Sequence, residues 1–225
     1  MNIKQKFSDS DLQRIKDAVS KAESKISGEI VPVIVEHSGR YPVTNYKGAL
    51  VGSSFAFIFM ILMDRYFITE ASNGLYNNTL YYDPVFIFIF VVLAGLVGAL
   101  IPSLLQAAKR LLVSQQTLDS TTRQRAESAF LEEQIFNTRQ RTGIMIFISF
   151  FERKVMVVAD HGISKVVNQK EWDSIVSDMI ANIRNGKVVE GLENAILKCG
   201  EILLEKGFVK TEDDINELRD DLRID

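Results

Sequence analysis

Between Asp83 and Lys109 the chain runs for 25 residues without a charge, PVFIFIFVVLAGLVGALIPSLLQAA. As a helix such a stretch reaches roughly 37 Å, beyond the ~30 Å hydrocarbon core of a bilayer. Buried helices of soluble domains rarely go so long without a charge, so the pattern predicts a membrane span over about 84–105. Pro102 falls near its far end, where a kink is tolerated. A second uncharged run, GALVGSSFAFIFMILM from Gly48 to Met63, is shorter, roughly 24 Å as a helix. Lys47 and Arg65 at its two ends can snorkel outward and extend it into a second span over about 48–63. A buried core helix is the other reading of this run.

The residues between the two runs include Tyr66, Tyr76, Tyr81 and Tyr82, which suit the headgroup level. Asn77-Asn78-Thr79 matches a glycosylation sequon, a three-residue pattern that chance readily produces. Near the spans the basic residues Arg40, Lys47, Lys109, Arg110, Arg123 and Arg125 lie outside this loop, and only Arg65 lies inside it. That asymmetry predicts an inner- or plasma-membrane protein with two spans and both termini in the cytoplasm. The opening residues MNIKQKFSDSDLQRIKD have no apolar h-region, so no signal peptide is expected. One cysteine, Cys199, fits a reducing compartment and excludes an internal disulfide framework. A net charge of -3 gives no electrostatic reason to expect nucleic acid.

The flanking segments read as two parts of one α/β domain. Residues 8–27 form a helix: Ser8 and Asp11 make a capping-box start, Leu12, Ile15, Val19, Ala22 and Ile26 share one face, and Gly28 stops it. EIVPVIVEH, residues 29–37, is a β-branched strand in which Pro32 implies an edge or a bulge. Residues 106–141 are polar and mostly helical, and the part up to about Gln124 could carry the membrane helix onward. GIMIFISF (143–150) and KVMVVAD (154–160) form an antiparallel hairpin. Two amphipathic helices follow, one presenting Trp172, Ile175, Met179 and Ile183, the other Val189, Leu192, Ile196, Cys199 and Leu203. The last 15 residues carry seven acidic and two basic side chains and read as a solvated tail or loose helix. One helix and one strand cannot bury a core alone, so residues 1–42 must complete the sheet made by residues 109–208. The hairpin at 43–108 then interrupts the domain, and 209–225 is the acidic tail.

FSDSDLQRIKDAVSKAE followed by SGEIVPVIVE, then RTGIMIFISFFERKVMVVADHGI and NGKVVEGLENAILKCGEIL, resembles the TPM domain family. That family includes a thylakoid lumen protein of photosystem II repair and many bacterial membrane proteins. The resemblance covers roughly residues 8–37 and 126–206. It implies an α/β/α sandwich around a small mixed sheet, here interrupted by an inserted two-helix transmembrane hairpin. Members are described as acid phosphatases or divalent-metal binders, and others as assembly factors for membrane complexes. Many carry an Asp-Asn-Gly segment before the hairpin, with acidic groups that can hold a metal. Here that segment reads Arg141-Thr142-Gly143, with Arg139 nearby, which puts the cation site in question.

Standard catalytic motifs are absent: there is no Gly-x-Gly, no Gly-Lys-Ser/Thr, no His-Glu-x-x-His and no Gly-x-Ser-x-Gly. The two histidines remain. His37 follows the first strand, and Asp160-His161-Gly162 follows the third. Were those strands parallel, His37, Asp160 and His161 would meet at one sheet edge as a small anion or metal site, with Arg40 as an added cation and Asp160 as the metal ligand. The other reading makes both histidines loop residues and Asp160 a helix cap. The function expected is a non-enzymatic, membrane-anchored interaction or maintenance module with no cofactor. Its partners are the bilayer and a membrane protein complex or a second copy. The alternative, implied only by the resemblance, is a phosphatase dependent on a divalent cation.

Overall fold

The computed structural model describes residues 6–71, 84–212 and 214–225. The sequon and Tyr76, Tyr81 and Tyr82 lie outside the described residues. Two compact units are present, one made of Met1–Gly39 with Leu118–Asp225, the other of Arg40–Thr117.

The first unit opens with α1 (Asp9–Glu23). Its start is a reciprocal cap: the Ser8 hydroxyl accepts the Asp11 backbone N–H, and the Ser8 N–H donates to the Asp11 carboxylate. Strand β1 (Glu29–Val35) follows and is buried along its whole length. The chain rejoins this unit within α5 (Gln115–Glu132) and continues through β2 (Gly143–Ser149), β3 (Lys154–Ala159), α6 (His161–Ser164), α7 (Gln169–Arg184), α8 (Val188–Glu205) and β4 (Arg223–Ile224), with α2 (Val43–Ala71), α3 (Pro84–Leu104) and α4 (Gln106–Leu112) belonging to the second unit.

The four strands form one mixed sheet in the order β3-β2-β1-β4. Strand β1 runs parallel to β2 with Glu29 opposite Gly143 and Val35 opposite Ser149, and β3 runs antiparallel to β2. Alternation sends Ile30, Ile34, Ile144, Ile146 and Ile148 to one face, where α1, α7 and α8 cover them with Ile15, Val19, Trp172, Ile175, Ile196 and Leu203. Val31, Val33, Val35, Met145 and Phe147 turn to the other face, against Ala126 and Ala129 of α5 and Ile135. The unit is therefore an α/β/α sandwich, with α1, α7, α8 and the short α6 on one side and α5 on the other.

Two local expectations change. The acidic tail is not a free coil: it contributes β4, which pairs parallel to β1 through Val33–Arg223 and Ile34–Ile224. Its charges are tied down by Arg223 to Glu133 at 2.8 Å, Lys16 to Asp221 at 3.0 Å and Arg125 to Asp225 at 2.5 Å. The apolar helix ending at Leu104 also does not run on into residues 106–124, because the backbone is extended at Leu105 and again at Val113. Pro32 fits once β4 is known. The Ile34 carbonyl and the Glu36 N–H both bond to Asp225 on the β4 side. Pro32 faces that same side by alternation, short of where two-residue β4 pairs, so its missing donor costs no sheet bond.

The second unit holds α2 (Val43–Ala71), α3 (Pro84–Leu104) and α4 (Gln106–Leu112). Residues Val43–Met63 and Pro84–Leu104 are each long and apolar enough to cross a membrane, and most of each is exposed, unlike the core helix of a soluble domain. The two helices touch through small residues. A side chain at Gly48 would strike the Gly98 carbonyl, and one at Gly52 would strike the Ala94 carbonyl at 2.5 Å. The Ser53 hydroxyl donates to the Val91 carbonyl at 3.3 Å, and Lys47 Nζ donates to the Leu112 carbonyl at 2.8 Å. On α2 the inner face is Gly48 and Gly52, and on α3 it is Ala94, Gly95 and Gly98.

Candidate functional site

Strand direction decides which polar groups can meet. Because β1 and β2 are parallel and β3 returns, His37 lies where β1 and β2 end, and Asp160 and His161 lie where β1 and β2 begin. The structure therefore does not bring His37 and His161 to one edge; the parallel arrangement that would join them is not the one formed. Arg40 is exposed and opens the second unit.

At the end of the parallel strands the His37 ring stacks on Phe151, centroids 5.0 Å apart. Beneath it Glu152 is fully buried. Its carboxylate accepts the Ser38 N–H at 3.0 and 3.1 Å and the Ser149 hydroxyl, and the Ser38 hydroxyl donates to Ser149 Oγ at 2.9 Å. The arrangement clasps the segment leaving β1 to the turn of the β2–β3 hairpin. With the named donors filling the carboxylate, it is a structural clasp rather than a reactive centre.

At the other end Asp160 is buried and caps α6, accepting the His161 N–H at 2.7 Å. Arg141 Nε stands 3.0 Å from Asp160 Oδ2, an ion pair whose N–H is not aimed well enough for a hydrogen bond. Arg141 itself holds a left-handed backbone, φ 57°, and its carbonyl accepts the Gly162 N–H at 3.0 Å. A Cβ at Gly162 would come within 2.6 Å of that carbonyl, so only glycine fits there. In this chain the place where the resemblance implies a divalent cation presents a guanidinium to the buried Asp160 carboxylate. Among the described residues no three His, Cys, Asp or Glu side chains come together to hold a metal ion. The residues present do not fit that group, because a cation would have to displace Arg141 and find further oxygens.

Two carboxyl groups not singled out from sequence lie beside this end of the sheet. Glu23, in the last turn of α1, is only 6% exposed. Its Oε1 accepts the Ile30 N–H at 2.7 Å, while Oε2 has no hydrogen-bond partner among the described residues. Burial, with a smaller contribution from neighbouring Glu29, pushes its pKa up to about 9, so it is protonated at neutral pH. Glu29 is also buried, and desolvation raises its pKa against the bonds it accepts from the Glu217 and Leu218 N–H groups at 3.0 and 3.3 Å. Glu23 opens onto a cavity of about 240 Å³ lined by Ser20, Ser24, Glu29, Lys210, Asp214 and others. A smaller hollow of about 110 Å³ shares Glu29 and adds Thr138, Arg139 and Glu217. Chemically this is a polar notch with a neutral carboxyl able both to donate and to accept. One signal was available: Glu23 falls four residues after Val19, on the apolar stripe of α1.

A sandwich with this strand order, closed by two helices after a hairpin, defines the class. Residues 108–202 match the family model of the TPM domain. That match spans less than half of the chain and leaves out α1 and β1, which the sheet requires. The fold is similar to the NMR structure of BA42 protein from the psychrophilic bacterium Bizionia argentinensis, with TM-score 0.58 and 17% identity over 97% of this chain and 95% of that one. At that identity the likeness is one of fold. No curated protein matches the chain.

Proposed function

We propose that the protein is a membrane-anchored interaction module. In this reading α2 and α3 cross the bilayer as a hairpin and hold the TPM-type unit at the cytoplasmic face, where it assists assembly or upkeep of a membrane complex. The observation that carries the reading is the pairing of β1 with β2 across the inserted hairpin. A sheet built from both flanks requires the chain to leave and return on one side, which two crossings satisfy. The excess of basic residues flanking the hairpin supports the cytoplasmic side. The phosphatase alternative needs a divalent cation, and Arg141 against Asp160 speaks against it.

Cross-linking in intact membranes, followed by capture from detergent extract, tests the module. The expected result is a discrete adduct with a membrane protein or with a second copy, lost when the α/β unit is removed from the hairpin. A chain that runs only as an uncross-linked monomer contradicts the proposal.

A further inference from the structure

The segment after α8 is fastened at two places. Near its start, Val209 bridges to Ile26 and the Lys210 N–H bonds to the Lys25 carbonyl. At its end, β4 lies along β1 and the Asp225 N–H bonds to the Ile34 carbonyl. Between these anchors residues 214–222 pass over Glu23 and Glu29. Their middle is held by Glu29, which accepts the Glu217 and Leu218 N–H groups, and by the Arg139 N–H, which donates to the Glu217 carboxylate.

Glu23 makes this strap unusual. One of its oxygens is buried without a partner, the residue lines the cavity together with Asp214 of the acidic stretch, and Asp220 and Glu29 lie close enough to disfavour its ionised form. Lys210 is the cation that faces it, but the Lys210 ammonium donates to the Glu23 main-chain carbonyl at 3.2 Å rather than to the carboxyl. An ionised Glu23 would add a second buried negative charge next to Glu29 and under Asp214 and Asp220. A neutral one adds none.

We propose that Glu23 is a proton-held latch: while it keeps its proton the strap at 214–222 stays closed over the notch, and losing the proton lifts it. The sign follows from linkage. When the strap lifts, water reaches Glu23 and its carboxyl returns to the ordinary range near 4.5. The closed form therefore holds one more proton than the lifted form from that range up to about 9. Across this window rising pH favours lifting, by up to about tenfold per pH unit, and the effect levels off above it. Lifting uncovers the Glu29 carboxylate and the two hollows, so the notch is opened by mildly alkaline conditions and shut by acid.

The test uses the full chain in detergent micelles. Trypsin cleavage after Arg219, at a dose where closing outpaces cutting, reports the open fraction. Its rate is divided by that of a free peptide of residues 214–222 at each pH. Between pH 6.5 and 8.5 the wild-type ratio is expected to climb toward tenfold per unit, and Glu23→Gln, which mimics the protonated carboxyl, to give a flat ratio. A flat wild-type ratio, or equal slopes in both chains, overturns the proposal. Should Glu23→Gln not fold, carboxyl-carbon NMR of the native chain decides. A Glu23 resonance titrating well above pH 7 supports the latch, and one titrating near 4.5 overturns it.

Discussion

At the scale of single residues, the pairing of Arg141 with Asp160 is what speaks against a cation site at this end of the sheet. An arginine in a left-handed conformation is locally unfavourable. Its ion pair with a buried carboxylate and its carbonyl bond to Gly162 hold it there. Arg141→Ala leaves Asp160 buried with only its cap bond, which is expected to lower stability by about 1–2 kcal/mol, since the guanidinium side of the pair is half-exposed. Denaturant midpoints of the variant and wild type check this, and an unchanged midpoint would show the pair to be idle. Local rules found Ser8 and Asp11 of the first cap and placed Trp172 and Cys199 in the core. For Glu23 they offered one signal, its place on the apolar stripe of α1. For Glu152 they offered none, because a glutamate in a tight turn looks like any surface glutamate until the chain folds around it.

At the scale of elements, the helices and the β2–β3 hairpin were readable because their signals are local: caps, 3.6-residue stripes, and β-branched runs bounded by glycine. Strand β4 was not, since two residues inside an acidic segment have no strand pattern and gain one only by lying against β1. Strand direction was equally hidden, which is why His37 and His161 could be imagined together. The hairpin's inner face is set by small residues: Gly48 and Gly52 of α2 oppose Gly98, whose Cα lies where a Cβ at Gly52 would be only 3.2 Å away. Gly98→Leu is expected to force α2 and α3 apart at a cost of about 1–3 kcal/mol. Leu96→Ala, on the exposed side, should change little. Thermal unfolding in detergent followed by circular dichroism distinguishes them, and equal behaviour of the two variants would place the packing face elsewhere.

At the scale of the whole molecule, one physical constraint organises the rest. Residues 1–39 supply a helix and the strand β1, residues 118–225 supply everything that strand pairs with, and 40–117 form a separate apolar unit. Cores of this kind close only if both flanks are in the same aqueous compartment. The most direct measurement is thiol mapping in sealed vesicles or intact cells. Cys199 is fully buried, and desolvation pushes its thiol up to about 12, so it contributes no labelling of its own. Single cysteines would be placed in the 70–80 stretch, at Ser10 and at Thr211, and treated with a membrane-impermeant maleimide. The account predicts labelling of the 70–80 position from outside, and of Ser10→Cys and Thr211→Cys only after the membrane is opened. Labelling of Ser10→Cys and Thr211→Cys from opposite sides, or of all three from one side, would contradict it.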